Sequence, residues 1–248
     1  MIKLERGECP KELTEEVKQE LTKLYKEDNE KDVWNSPKIK IFLKKALTDM
    51  THNKCAYCEC KLNIESKDVT IDHFLPKVDN ESLVVEWGNL LPSCLRCNRA
   101  KNRSIEEIIN PCNIDPKLYI GVKSNSFRLI KIGESEIGKN TIRVLKLNDI
   151  DRVLVARMRI IEKIIESLSD LLEDVEELEK ISPKYVSRFE GYLSEALNDK
   201  EYSAVASAKI LDDDVFKKLK NLFIEKKAWN IRLIKIEEEL QKIALKIV

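Results

Sequence analysis

The 248-residue sequence has no surplus of either charge: 44 lysines and arginines stand against 44 aspartates and glutamates, a formal net charge of +0. A uniformly basic coat for nucleic acid is therefore excluded, and any grip on phosphates must come from local clusters. No apolar run nears the roughly 20 residues that a membrane-spanning helix needs, and the first residues lack the pattern of a secretion signal. The expected setting is soluble and cytoplasmic, with no membrane partner. A G-x-x-x-x-G-K phosphate loop is also missing, so control by ATP would have to come from another chain. Aromatics make up only 6% of the residues and charged groups 35%, a balance that suits long exposed helices. Histidine occurs twice, at His52 and His73.

Cysteine is not scarce. Seven are present, an odd number in a chain without a secretion pattern, which argues against a disulfide framework. Cys55 and Cys58 form one Cys-x-x-Cys pair, and Cys94 and Cys97 form another. Each pair can bring two sulfurs to one ion, so together they make a closed tetrahedral shell for a structural Zn2+. The 35 residues between the pairs exceed a compact zinc ribbon, so an insertion must lie between them. Cys60 is close enough in sequence to serve as an alternative ligand. Cys9 and Cys112 read as structural or incidental.

The insertion carries the chemistry. His73 can take a proton from water near neutral pH, and Asp72 beside it offers a hard oxygen to Mg2+ or Mn2+. On a regular strand the two side chains would point to opposite faces, but a strand end or turn lets both serve one phosphate. Asn98, adjacent to Cys97, is a second metal ligand through its amide oxygen, fixed relative to Asp72 by the zinc staple. Asn89 sits in a turn, where an asparagine holds backbone groups and so shapes the histidine loop. Arg96, Arg99, Lys101 and Arg103 form a local basic cluster suited to gripping phosphates. His52, ahead of the first pair, reads as structural, with a spare phosphate contact as the alternative. These residues describe a small metal-dependent nuclease on a zinc frame.

The rest divides around this core. Residues 1–52 form an N-terminal helical segment, with one helix from Thr14 to Tyr25 and a second from Ser36-Pro37 towards Met50. Ile39, Phe42, Leu43 and Leu47 share a face of the second helix. Residues 53–110 are the core, with a strand over 69–71 reaching Asp72-His73, a second strand over 83–85, a turn over 87–91 and a short helix after Cys94. Residues 111–148 are a mixed connector: 127–132 alternates as a strand would, and 141–147 is either a strand or a helix start. Residues 149–248 form a helical domain. Leu154, Met158, Ile161, Ile165, Leu168, Leu172 and Val175 trace a seam for an antiparallel hairpin or coiled coil, and further helices are predicted over 183–198 and 213–246.

Cys55-x-x-Cys58, Thr70-Ile-Asp-His73, Trp87-Gly-Asn-Leu90 and Cys94-Leu-Arg-Cys97-Asn98-Arg-Ala-Lys101 together resemble an HNH endonuclease of the ββα-metal kind. In that resemblance His73 matches the first His, Asn89 the central Asn and Asn98 the last position, here Asn rather than His. The wider chain, from Ile2 through the Cys55 knuckle and the helical tail, resembles the PtuB-type HNH nuclease subunits of Septu and retron anti-phage systems. These are encoded beside an ATPase called PtuA. The resemblance implies an α+β fold, predominantly helical, with a zinc-stapled ββα-metal core. It also implies hydrolysis of phosphodiester bonds, with DNA favoured and tRNA possible, and a PtuA-like ATPase as partner. The alternatives are a non-catalytic zinc module that binds nucleic acid or protein, and a helical adaptor whose nuclease portion is vestigial.

Overall fold

In the computed structural model, residues 1–63 and 69–248 are described. Thr14 starts the first helix, α1 (Glu15–Glu27), by accepting from Val17 N, and Glu15 and Glu16 occupy the first turn, where the helix dipole favours acids. The second helix, α2 (Lys40–Met50), begins later than Pro37 suggests, because residues 36–39 form a separate turn. Ile39, Leu43 and Leu47 are buried as expected, whereas Phe42 remains exposed.

The Asp72-His73 and Asn98 motifs lie on a hairpin and a short helix. Strand β1 (Val69–His73) pairs antiparallel with β2 (Leu90–Cys94), Val69 opposite Cys94 and His73 opposite Leu90. Helix α3 (Leu95–Lys101) follows at once. The order of knuckle, strand, strand and helix is as expected, but the second strand is not residues 83–85. Val84 and Val85 are fully buried in a turn, and the Val84 carbonyl is engaged by the His73 ring instead of a ladder partner. Pro92 sits in the middle of β2 opposite Ile71, with its carbonyl accepting from Ala56 N at 2.9 Å.

A second small sheet has the order β4-β3-β5: β3 (Ile120–Val122) lies antiparallel to β4 (Leu129–Lys131) and parallel to β5 (Lys246–Ile247). A Cβ on Gly121 would meet Lys246 O at 2.7 Å, so this close approach depends on glycine. Of the ambiguous stretch over 141–147, the first four residues end a helix, α4 (Glu136–Val144), and the last three form the turn after it.

Five further helices follow: α5 (Val155–Val175), α6 (Pro183–Ser194), α7 (Ser203–Asp212), α8 (Asp214–Glu225) and α9 (Ile231–Ile243). Two long helices were expected after Pro183. Residues 203–212 form an extra one, and the long tail breaks at Asn230, which caps α9 by accepting from Arg232 N and Leu233 N. The α5 seam is shifted: Ile161, Ile164, Leu168, Leu171 and Val175 are buried, while Leu154, Met158, Ile165 and Leu172 are not fully so. α5 packs against α6, α7 and α8 rather than a single partner. No described helix is long and apolar enough to cross a membrane.

Two apolar clusters meet at the β1–β2 hairpin. One joins α1, α2, Ile71, Trp87 and Leu90; the other joins the cysteine knuckles, Leu91 and the C-terminal helices. The fold is α+β and predominantly helical.

Candidate active site

The sulfurs of Cys55, Cys58, Cys94 and Cys97 all lie within 4.8 Å of one another, with Cys58 and Cys94 3.8 Å apart. A tetrahedral shell with zinc–sulfur bonds of about 2.3 Å has edges of about 3.8 Å, so the group fits a closed Zn2+ site. The first knuckle folds back through Cys55 N to Cys60 O at 2.9 Å and Glu59 N to Cys55 O at 3.0 Å. Cys94 caps α3 through its sulfur, which accepts from Cys97 N. Cys60 is buried but is not one of the four converging sulfurs. Cys9 is exposed, and Cys112 accepts from Arg6 Nη2 at 3.4 Å.

Asp72 and His73 end β1, both buried and both lining one cavity of about 360 Å3. Asn98, Arg99 and Arg103 line the same cavity, as do Pro76, Lys77 and Val78. The His73 Nε2 lies 2.8 Å from Val84 O. A carbonyl oxygen only accepts, so Nε2 carries the hydrogen and Nδ1 keeps its lone pair. The Trp34 ring meets the imidazole edge-on, with centroids 4.8 Å apart. Burial pushes the imidazolium down to about 4, opposed only in part by the Val84 bond, and the neighbouring Lys77 adds to the fall. The ring is thus neutral at ordinary pH.

The Asp72 carboxylate accepts from Tyr57 OH and from Lys101 Nζ. Burial pushes its carboxyl up to about 6, against the pull of those two groups. Asn98 turns its Nδ2 towards β1, donating to Thr70 Oγ1 at 3.1 Å and Ile71 O at 3.5 Å. Its Oδ1 has no hydrogen-bond partner among the described residues. Asn89 forms a two-way clamp on the loop after His73. Its Oδ1 accepts from Leu75 N at 2.7 Å, its Nδ2 donates to Leu75 O and Leu83 O, and its own carbonyl accepts from Phe74 N.

The basic cluster divides. Arg96, Arg99 and Arg103 are exposed, the last two at the cavity. Lys101 corrects the sequence expectation: it is buried, bonded to Asp72 and to His73 O at 2.7 Å, and cannot serve as a surface phosphate contact. His52 is exposed in a left-handed turn outside the cavity. Sequence reasoning missed Tyr57, Trp34 and Arg6. Arg6 ties the N-terminal segment to the core through Trp87 O at 2.7 Å and Leu90 O at 3.0 Å. A larger groove of about 800 Å3 beside α5 and α6 contains none of the motif residues.

One cavity is thus lined by a neutral imidazole whose Nδ1 has no partner among the described residues, by a carboxylate, by an asparagine and by two arginines. This set can accept a proton, ligate a hard cation and hold an anion.

Residues 55–104 match the family model described as HNH endonuclease. The chain is 39% identical over 241 residues to the Septu protein PtuB of Bacillus thuringiensis, covering 93% of this chain and 90% of that one. It is also 30% identical over 139 residues to a Septu protein PtuB of Bacillus mycoides, covering 43% and 46% of the two chains. No solved structure gives a significant match. With nearly its whole length aligned to such a relative and the nuclease motif on a shared cavity, the chain belongs to the Septu PtuB family of HNH endonucleases, hydrolases of the phosphodiester bond.

Proposed function

We propose that this chain is the metal-dependent effector nuclease of a Septu-type anti-phage system, with His73 as its general base. The observation that carries the reading is the fixed imidazole. Nε2 hangs on Val84 O, which leaves Nδ1 as an acceptor with no partner among the described residues, and His73 lines a cavity with Asp72 and Asn98. His73 takes a proton from a water at Nδ1, and the water's oxygen attacks phosphorus in line with the departing 3′ oxygen. Asp72 and the Asn98 Oδ1 would hold Mg2+ or Mn2+ as hard-oxygen ligands, and that cation would supply positive charge against the phosphate and the leaving oxygen. Asn89 positions the histidine loop. Arg99 and Arg103 hold the flanking phosphates, with Arg96 further along the helix, while the four cysteines keep a structural zinc. The departing oxygen takes a proton from solvent water, so products carry 5′-phosphate and 3′-hydroxyl ends.

The substrate is DNA in the first instance, with tRNA second; none of these residues calls on the 2′-hydroxyl, so the catalytic chemistry itself serves either sugar. The kinship with PtuB and the missing phosphate loop in this chain support a PtuA-like ATPase as partner and source of ATP control. The test combines Mg2+ with supercoiled plasmid, single-stranded DNA and tRNA, with and without the ATPase and ATP. Wild type should cleave, and His73→Ala should lose about 100-fold or more while keeping its zinc. Undiminished cleavage by His73→Ala would remove the histidine from its role.

A further inference from the structure

Lys101 is the last residue of α3, and it reaches back under β1 rather than out to solvent. Its Nζ stands 3.3 Å from both carboxylate oxygens of Asp72 and 2.7 Å from His73 O, and lies 5.9 Å from the centre of the Phe74 ring. The side chains of the pair are only 2% and 4% exposed. The ammonium therefore has a fixed place with directed partners, unlike Arg96, Arg99 and Arg103 on the same helix and its following turn. Around the cavity Asp72 is the one acid among the described lining residues, facing Lys77, Arg99 and Arg103. Lys101 thus already neutralises the single anionic group of the site.

We propose that Lys101 is the resident counter-ion of Asp72, held where it weakens the site for a divalent cation until a phosphate arrives. The inference rests on the reading of Asp72 as a ligand of the catalytic metal. A divalent ion sharing that carboxylate enters the field of a buried ammonium, where screening is weak and like charges repel strongly. One carboxylate and one neutral amide are a weak pair of ligands on their own. A nucleic-acid phosphate supplies the missing negative charge, so metal and substrate load together. Tyr57, donating to the same carboxylate from the first knuckle, keeps the oxygens oriented while the charges change around them.

The test measures Mn2+ affinity by electron paramagnetic resonance on zinc-loaded protein in the inactive His73→Ala background, with zinc content assayed in parallel. Asp72→Asn comes first. If it leaves Mn2+ binding unchanged, Asp72 is no ligand and the reading beneath this inference fails. If it abolishes binding, Lys101→Gln decides the inference itself. Tenfold or tighter Mn2+ binding, together with a smaller gain on adding a non-cleavable phosphorothioate oligonucleotide, supports the counter-ion role. Unchanged or weaker binding with zinc retained overturns it, as a merely structural lysine would give no gain. Should Lys101→Gln lose its zinc, the wild-type protein carries the test. The 15Nζ resonance of Lys101, assigned through Lys101→Arg, should shift more when Mg2+ is added together with the phosphorothioate oligonucleotide than with Mg2+ alone; an equal response in both cases overturns the proposal.

Discussion

Among the described residues between Cys55 and Lys101 the regular structure amounts to two five-residue strands, two short 3-10 turns and a seven-residue helix, whereas beyond Val155 five helices bury Ile161, Leu168, Leu171, Phe189, Leu193, Phe223 and Leu240 completely. The first region is held by four converging sulfurs and by buried polar contacts: Tyr57 and Lys101 on Asp72, and Asn89 across its loop. The second is held by apolar area and aromatic edges. Polar groups and metal ligands fix direction, which chemistry needs; apolar burial fixes proximity, which a scaffold needs. The regions should therefore fail in different ways.

The largest effect should come from the metal. Structural zinc contributes about 10 kcal/mol or more to small domains. Chelation, or Cys97→Ala, should abolish cleavage while most far-UV helical signal persists. Full collapse of the helical signal on chelation would show that the two regions stand or fall together. In the helical region, Phe189→Ala removes a ring packed edge-on against Phe223 at 4.8 Å and Trp229 at 5.8 Å. It should cost about 3–5 kcal/mol in urea unfolding, with zinc content unchanged. Asn89→Ala sits at the junction of structure and chemistry. Losing its buried partners should cost about 1–3 kcal/mol and depress kcat more than KM. If kcat is spared, the loop does not depend on its clamp. Smallest is Asn230→Ala, which uncaps α9 for about 1 kcal/mol and lowers Tm by about 2–4 °C with no change in cleavage.

The same contrast explains what could be read from the sequence. The cysteine pairs, Asp72-His73 and Asn98 were legible because their chemistry is encoded in local spacing. Tyr57 was not: a tyrosine between two knuckle cysteines reads as filler, and its partner lies 15 positions away. Lys101 was misread because a basic run looks solvated until the fold turns one member inward. Val84 and Val85 read as strand, yet the backbone there serves the histidine. In the tail, α5 showed its stripe, but α7 did not. Ser203, Ala204, Val205, Ala206, Ser207, Ala208 and Ile210 are all buried, so small residues surround the helix and no polar face marks its period. Strand β3 was invisible because its partners include residues 125 positions further along, as in Gly121 opposite Lys246.

Pro92 bears on how copies of the molecule behave towards one another. At the midpoint of β2 it has no N–H to offer, and its carbonyl is already taken by Ala56 of the knuckle. The outer margin of that strand presents neither a donor nor a free acceptor at its centre, so a strand from another copy finds no ladder to extend. An exposed hairpin margin ordinarily invites pairing with another copy; here the knuckle and the pyrrolidine ring of Pro92 occupy the centre of that margin.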